Sequence, residues 1–329
     1  MRYLVTGGAG FIGSHLADHL LSLGHEVVAF DNLSTGRLAN LDHLREHASF
    51  RFVVGDVLDE TAMQPLVAEC DRIVHLAAAV GVDLIMQRPV ETITVNVHGT
   101  DNVLRLACRF ERPVLIASTS EVYGKLMDGS EDISALREDH DWRLGPTSLR
   151  RWAYACSKAL DEFLALAYHV EKRLPVICVR FFNTVGPRQS GQYGMVLPRF
   201  VERALMNEPL IVYGDGTQSR CFTHVEDAVR ALVGLLDEPR AYGQVVNIGN
   251  DEEVTINELA QRVIEATGSN SQITHVPYEQ IFATGFEDMR RRTPDLTKIG
   301  GLIGYRPAHS VDDIVSSVVE YHRCTPIEA

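Results

Sequence analysis

The sequence predicts an α/β protein: a Rossmann-type doubly wound parallel sheet followed by a smaller C-terminal α/β lobe. Three observations carry this reading. Short apolar runs alternate with longer amphipathic stretches, the first run ends in a glycine-rich turn that opens a helix, and beyond Phe181 the alternation loosens into segments punctuated by Gly and Pro. Strands alternating with helices build parallel sheets covered on both faces, and a strand buried on both faces reads as a continuous apolar run.

Six runs give the strands in order: Tyr3-Leu4-Val5, Val27-Val28-Ala29-Phe30, Phe52-Val53-Val54, Ile73-Val74-His75-Leu76, Val114-Leu115-Ile116 and Val176-Ile177-Cys178-Val179. Two long helical stretches, Val90 to Arg109 and Trp152 to Lys172, lie between the later ones, and short helices are expected near Met195 to Met206 and Thr255 to Ala266. Residues 1–180 therefore form the first domain, with returning segments from about 219–248, and residues 181–329 the second lobe. In open α/β sheets ligands bind at the carboxyl ends of the strands, so the cleft between the lobes is the expected site.

Composition narrows the function classes. The 329 residues suffice for a full α/β core and a second lobe. A net charge of −13 without any Lys/Arg block argues against nucleic acid or an anionic membrane as the main partner. Six scattered cysteines, with no CxxC pair and no metal-ligand spacing, predict reduced thiols, neither disulfide nor metal. The chain opens directly on a strand and has no apolar run of membrane-spanning length, so a cytoplasmic location is expected.

The first strand leads into Thr6-Gly7-Gly8-Ala9-Gly10-Phe11-Ile12-Gly13. Glycines 7, 10 and 13 permit a tight turn, close approach of backbone amides to a pyrophosphate and close packing of helix on strand, while the helix dipole favours the negative charge. Gly7, Gly10, Phe11, Ile12 and Gly13 are thus candidate dinucleotide contacts. Asp31, at the end of the second strand and followed by Asn32, can accept from both ribose hydroxyls and repels a 2′-phosphate, which favours NAD over NADP; Arg37 works against that preference.

Tyr154-Ala155-Cys156-Ser157-Lys158 falls in a helical stretch, and a spacing of four puts phenol and ammonium on one face. An ammonium beside the phenol, with a nicotinamide cation nearby, is expected to lower the phenol pKa and make Tyr154 a general base. Thr119, Ser120 and Glu121 emerge at the end of the fifth strand, where the two hydroxyls can bind a reacting hydroxyl and the carboxylate can serve as a second acid or base.

These segments, with Arg180-Phe181-Phe182-Asn183 through Gly186-Pro187-Arg188 and Tyr213 to Arg220, closely resemble the NAD-dependent nucleotide-sugar epimerase, dehydratase and decarboxylase family of extended short-chain dehydrogenases/reductases. The likeness covers nearly the whole chain. The Thr-Ser-Glu form at 119–121 is similar to UDP-glucuronate decarboxylases; dehydratases carry Asp-Glu where Ser120-Glu121 stand, and 4-epimerases usually lack an acid there. The resemblance implies that Asp56 and Val57 lie beside the adenine and that Leu76, Ala77 and Ala78 line the cofactor. It implies that Arg151 meets a substrate carboxylate, with Arg88 and Arg150 as rival partners, that Asn183, Arg220 and Arg292 hold sugar and diphosphate, and that Leu197 and Phe200 lie near the uracil.

The implied reaction is decarboxylation of UDP-glucuronate through a 4-keto intermediate, giving UDP-xylose or the 4-keto pentose. A UDP-sugar 4-epimerase shares the first oxidation and stays open as an alternative, a 4,6-dehydratase fits less well, and a silent NAD-binding regulator is disfavoured by the intact YxxxK. The resemblance also implies a homodimer, built from the stretches 90–109 and 152–172 and their symmetry mates.

Overall fold

The computed structural model describes residues 1–129, 132–191, 195–281 and 289–325. The six runs become strands β1 (Arg2–Thr6), β2 (Glu26–Asp31), β3 (Phe50–Val54), β4 (Arg72–His75), β5 (Val114–Thr119) and β6 (Val176–Phe181). Between them lie helices α1 (Phe11–Ser22), α2 (Glu60–Glu69), α3 (Val82–Gln87), α4 (Pro89–Arg109) and α5 (Trp152–Lys172). The chain continues through β7 (Thr184–Val185), α6 (Val196–Leu205), β8 (Leu210–Tyr213), β9 (Ser219–Cys221), β10 (Thr223–His224), α7 (Val225–Leu236) and β11 (Gln244–Ile248). It ends in β12 (Glu253–Thr255), α8 (Ile256–Thr267), β13 (Ile273–Val276), α9 (Tyr278–Ile281), α10 (Thr297–Ile303) and α11 (Val311–Cys324).

Seven strands form one parallel sheet in the order β11-β6-β5-β4-β1-β2-β3. The order reverses between β1 and β4, which opens a crevice at their carboxyl ends. Alternate side chains enter opposite cores: Tyr3, Val5, Val74 and Leu115 pack with α1 and α7, whereas Leu4, Ile73, Val114 and Ile116 pack with α2, α4 and α5. That double burial is why each strand reads as an unbroken apolar run.

The seventh strand is carried by the second half of the chain, as β11 pairs with β6 and α7 packs on α1. The smaller lobe has its own core. Leu197, Phe200, Val201 and Ala204 recur at helical spacing on α6 and meet Leu259 and Val263 of α8 and Ile314, Val315 and Val318 of α11. Capping boxes start both partner helices, Thr255 with Glu258 on α8 and Ser310 with Asp313 on α11. Among the described residues no helix is long and apolar enough to cross a membrane.

Candidate active site

A cavity of about 1070 Å³ runs along the carboxyl edge of the sheet into the smaller lobe. Its floor is the β1–α1 turn. Gly7 has φ 70, and a Cβ there would lie 2.7 Å from the Ala77 backbone nitrogen; a Cβ on Gly13 would lie 2.2 Å from the Gly7 carbonyl oxygen. Only glycines let this turn close, and Gly10 caps α1 without a side-chain bond, leaving the first-turn amides open to the crevice. Asp31 accepts from the backbone N–H of Ala9 at 3.0 Å and of Leu33 at 2.8 Å, and burial raises its pKa above the ordinary carboxylate value while these amides pull it back. Asp56 accepts from Asn32 Nδ2 at 3.0 Å. Phe11, Ile12, Asn32, Asp56, Val57, Leu76, Ala77 and Ala78 line the same cavity, as does Arg37.

Thr119 ends β5, and Ser120 and Glu121 follow in a 3₁₀ turn packed against α5. Thr119 Oγ1 accepts from the Glu121 amide at 3.2 Å and is hydrogen bonded to the Tyr154 hydroxyl. Tyr154, Lys158, Thr119, Ser120 and Glu121 all line the cavity. The phenol is not lowered as the YxxxK spacing predicts. Burial raises it, the Glu121 and Asp161 charges raise it further, and the Thr119 bond and Arg151 oppose them. The physical reason is first of all burial of the phenol, and the Lys158 ammonium that the spacing supplies is itself paired with Asp161, Nζ to Oδ2 at 2.8 Å.

Glu121 pairs with Arg151, both buried or nearly so, and its other oxygen lies 3.8 Å from Arg292 Nη1. Arg151 holds the turn just before α5, a helix turn from Tyr154. Its rivals stand elsewhere: Arg88 pairs with Glu91 at the solvent-exposed edge of the cavity, and Arg150 is exposed and does not line it. Asn183, at φ 30 just after β6, donates to the Cys221 carbonyl at 2.9 Å and accepts from Arg292 Nη2 at 2.6 Å. Of the three arginines at 290–292, the fold thus brings Arg292 into the site and pairs Arg291 with Glu253 outside it. Arg220 on β9 and Phe200 on α6 line the cavity. Leu197 does not: it is fully buried in the core of the smaller lobe, against which α6 packs its apolar face.

Four further lining residues had no role in the sequence reading. Arg199 donates to the Tyr213 hydroxyl at 2.6 Å with its guanidinium 4.5 Å from the ring centre, and Gln218 donates to the Tyr213 carbonyl at 2.9 Å and to the Tyr278 hydroxyl at 3.1 Å. The signal that could have found two of them is the Tyr213-Gly214-Asp215-Gly216-Thr217-Gln218 run, whose glycines at φ 73 fold it back toward the cleft. Away from this cavity, His224, Glu226 and His309 bring possible ligand atoms within 4.8 Å of one another. The two rings stack at 4.1 Å, however, so one ion cannot lie in the plane of both.

A glycine cradle under a dinucleotide-sized cleft, an acidic residue ending β2, and a Tyr/Lys pair facing a Thr at the edge of a parallel sheet define an extended short-chain dehydrogenase/reductase of the nucleotide-sugar type. The chain belongs to the GDP-mannose 4,6 dehydratase family, whose model matches residues 4–318. It is 42% identical to the UDP-N-acetyl-alpha-D-glucosaminuronate decarboxylase of Bacillus cytotoxicus over 98% of both chains. It is 37% identical to UDP-glucuronic acid decarboxylase 1 of Danio rerio over 97% of this chain and 72% of that protein. Among solved structures, UDP-glucuronic acid 4-epimerase from Bacillus cereus, in complex with UDP-glucuronic acid and NAD, superposes with a TM-score of 0.86 at 29% identity, covering 98% of this chain and 99% of that one.

Proposed function

We propose that the chain is an NAD-dependent decarboxylase of a UDP-linked hexuronate, with UDP-glucuronate as substrate and UDP-xylose or the 4-keto pentose as product. The observation that carries the reading is the meeting of Glu121, Arg151 and Arg292 beside the Tyr154 phenol. A carboxylate entering a closed pocket needs guanidinium partners, and an acidic chain has gathered two here.

The cradle fits NAD, because glycines 7 and 13 let the turn close tightly on its own backbone, and the α1 N-terminus, capped by no side chain, opens on the cavity where a pyrophosphate would lie. Gly7, Gly10, Phe11, Ile12 and Gly13 would hold the pyrophosphate, Asp31 and Asn32 the adenosine ribose, Asp56 and Val57 the adenine, and Leu76, Ala77 and Ala78 the remaining cofactor wall. When bound, NAD⁺ accepts the electron pair that leaves the sugar C4. Tyr154 takes the C4 hydroxyl proton, with Thr119 holding that hydroxyl and Lys158 supplying positive charge behind the phenol. The resulting 4-ketone makes the C5 carboxylate a β-keto acid. Its C5–C6 bond breaks, carbon dioxide leaves, and the electrons fall into an enolate that Tyr154 and Thr119 stabilise at O4. A proton drawn from solvent and passed by Glu121 to C5 gives the 4-keto pentose; if the electron pair taken up at the start were returned to C4, with the Tyr154 proton going back to O4, the product would be UDP-xylose. Arg151 and Arg292 hold the carboxylate, while Asn183, Arg220 and Phe200 line the way to the diphosphate and base.

The test is to incubate purified protein and NAD⁺ with UDP-glucuronate, UDP-N-acetylglucosaminuronate and UDP-glucose and to identify products by mass and NMR. Loss of carbon dioxide from a uronate supports the proposal, and the ratio between the two uronates assigns the group at C2. The second reading, 4-epimerisation of a UDP-sugar such as UDP-glucose or UDP-glucuronate, is favoured by the likeness to the Bacillus cereus epimerase. It takes over if UDP-glucuronate keeps its carboxylate and emerges inverted at C4. A homodimer and a cytoplasmic location complete the proposal. Six free cysteines suit a reducing compartment, and α4 and α5 leave Val90, Ile93, Leu160, Phe163 and Val170 exposed for a symmetry mate.

A further inference from the structure

Lys158 and Asp161 form an ion pair in which the two side chains are 2% and 0% exposed. Taking both charges out of water is costly, and an apolar pair of similar volume is often as stable or more so. Within the pair, Asp161 Oδ2 takes the Lys158 ammonium at 2.8 Å.

A directional chain of hydrogen bonds ends on this carboxylate. The Ala77 amide, on the cavity wall, donates to Thr6 Oγ1 at 3.3 Å, and Thr6 Oγ1 lies 2.7 Å from His75 Nδ1. With the Thr6 hydroxyl accepting from Ala77 and donating to Nδ1, the ring hydrogen sits on Nε2, 3.2 Å from Thr100 Oγ1. Thr100 in turn donates to Asp161. His75 is wholly buried and its pKa falls to about 3, so it relays hydrogen bonds as a neutral ring.

We infer that Asp161 is the positioning residue of Lys158: its carboxylate is the counter-charge of the ammonium in a dry pocket and fixes where that ammonium lies, one helix turn beyond Tyr154. The surroundings offer no substitute. Glu162, the next residue on α5, is engaged by Arg180 of β6 at 2.7 Å and by Ser118 of β5 at 2.5 Å; Glu121, from the turn after β5, pairs with Arg151; Cys178 of β6 is a buried thiol whose pKa burial raises; His75 of β4 is neutral; and α4 contributes the Thr100 hydroxyl. This inference deepens the catalytic role proposed for Lys158, but its first test does not depend on the substrate or on turnover.

Asp161→Asn keeps shape and removes the counter-charge. The orphaned ammonium then sheds its proton to stay buried, since desolvation alone can move a lysine by about 3–5 pH units. Lysine is then neutral in the folded variant and charged in the unfolded one at neutral pH, so folding must release a proton. The thermal-stability deficit of Asp161→Asn against wild type is therefore largest near about pH 6 and narrows steadily toward about pH 10, where the unfolded lysine also loses its proton. Lys158→Met/Asp161→Asn carries no orphan charge, and its deficit is flat with pH. In turnover, Asp161→Asn loses activity as pH rises through neutrality, opposite to a wild type that uses a phenolate base.

A deficit for Asp161→Asn that is the same at every pH overturns the inference and leaves a packing contact. If Asp161→Asn does not fold, the double variant decides: recovery of a folded protein supports the orphan-charge argument, and failure to recover refutes it. An intact melting signature with no decarboxylation by wild type would instead sink the proposed function and leave this inference standing.

Discussion

Tyr154 stands among Glu121, Asp161, Arg151 and the Thr119 hydroxyl, and burial together with the two carboxylates holds its phenol above the ordinary value. Removing that hydroxyl with Tyr154→Phe should slow the first oxidation of every substrate by about 10²–10⁴-fold, since general-base catalysis has that worth, with NAD binding retained in calorimetry. Arg151→Ala separates the two readings of the site. It strips a buried carboxylate partner and leaves Glu121 facing the pocket, so turnover of UDP-glucuronate should fall by about 10²-fold or more, while binding of UDP-glucose, whose sugar is uncharged, changes little. Equal loss for both sugars would mean that Arg151 only shapes the turn. The Tyr/Lys pair, Thr119 to Glu121 and the glycine turn were legible in the sequence because each lies within one short segment. Asp161, Arg199 and Tyr278 were not, because their meaning depends on which neighbours they meet and how deeply they are buried. The same holds for Arg292, which the Asn183 contact singles out from its two neighbours.

The β1–α1 unit shows how one element serves both fold and site. Gly13 sits under the Gly7 carbonyl at a distance no side chain tolerates, so Gly13→Ala must push the helix off the strand. We expect NAD binding to fall by more than about tenfold and thermal stability to drop, as overpacking typically costs about 1–3 kcal/mol; wild-type affinity in this variant would refute the cradle. The same helix carries an acid-sensitive joint. His15 Nε2–H donates to the Pro187 carbonyl at 2.9 Å, and burial, helped by the Arg188 cation, lowers its pKa from 6.5 to about 4. Between these values the unfolded chain binds a proton that the native chain refuses. Stability is therefore complete above pH 6.5 and lost as pH falls toward 4, by about 2 kcal/mol after allowing for partial exposure. His15→Gln should flatten that part of the urea-denaturation profile, and an unchanged slope would place the acid sensitivity elsewhere, with His75 the first candidate.

At the scale of the molecule, strand runs and long helices were legible because double burial writes continuous apolar runs and one-sided burial writes helical periodicity. The way residues 219–248 divide was harder to read: Ser219–Cys221 pairs with β12, whereas Val225 to Ile248 lies on the main sheet, a partition set by long-range pairing. Leu197 was misplaced for a related reason, since helix spacing gives a residue's face but not whether that face meets a cavity or a core. What sequence and fold jointly expose is the α4–α5 flank. The two helices pack closely along their length, yet Val90 and Val170 are each 78% exposed and Phe163 is 64% exposed. Leu160, Phe163 and Val170 fall on one side of α5, as Val90 and Ile93 do on α4, which is the arrangement a two-fold four-helix bundle requires. Wild type should therefore sediment as a dimer at micromolar concentration. Phe163→Glu, which puts a charge into that interface without touching the cleft, should shift it to monomer while the NAD cradle still binds. Monomeric wild type would refute the pairing outright, and a dimer indifferent to Phe163→Glu would move the interface to another face.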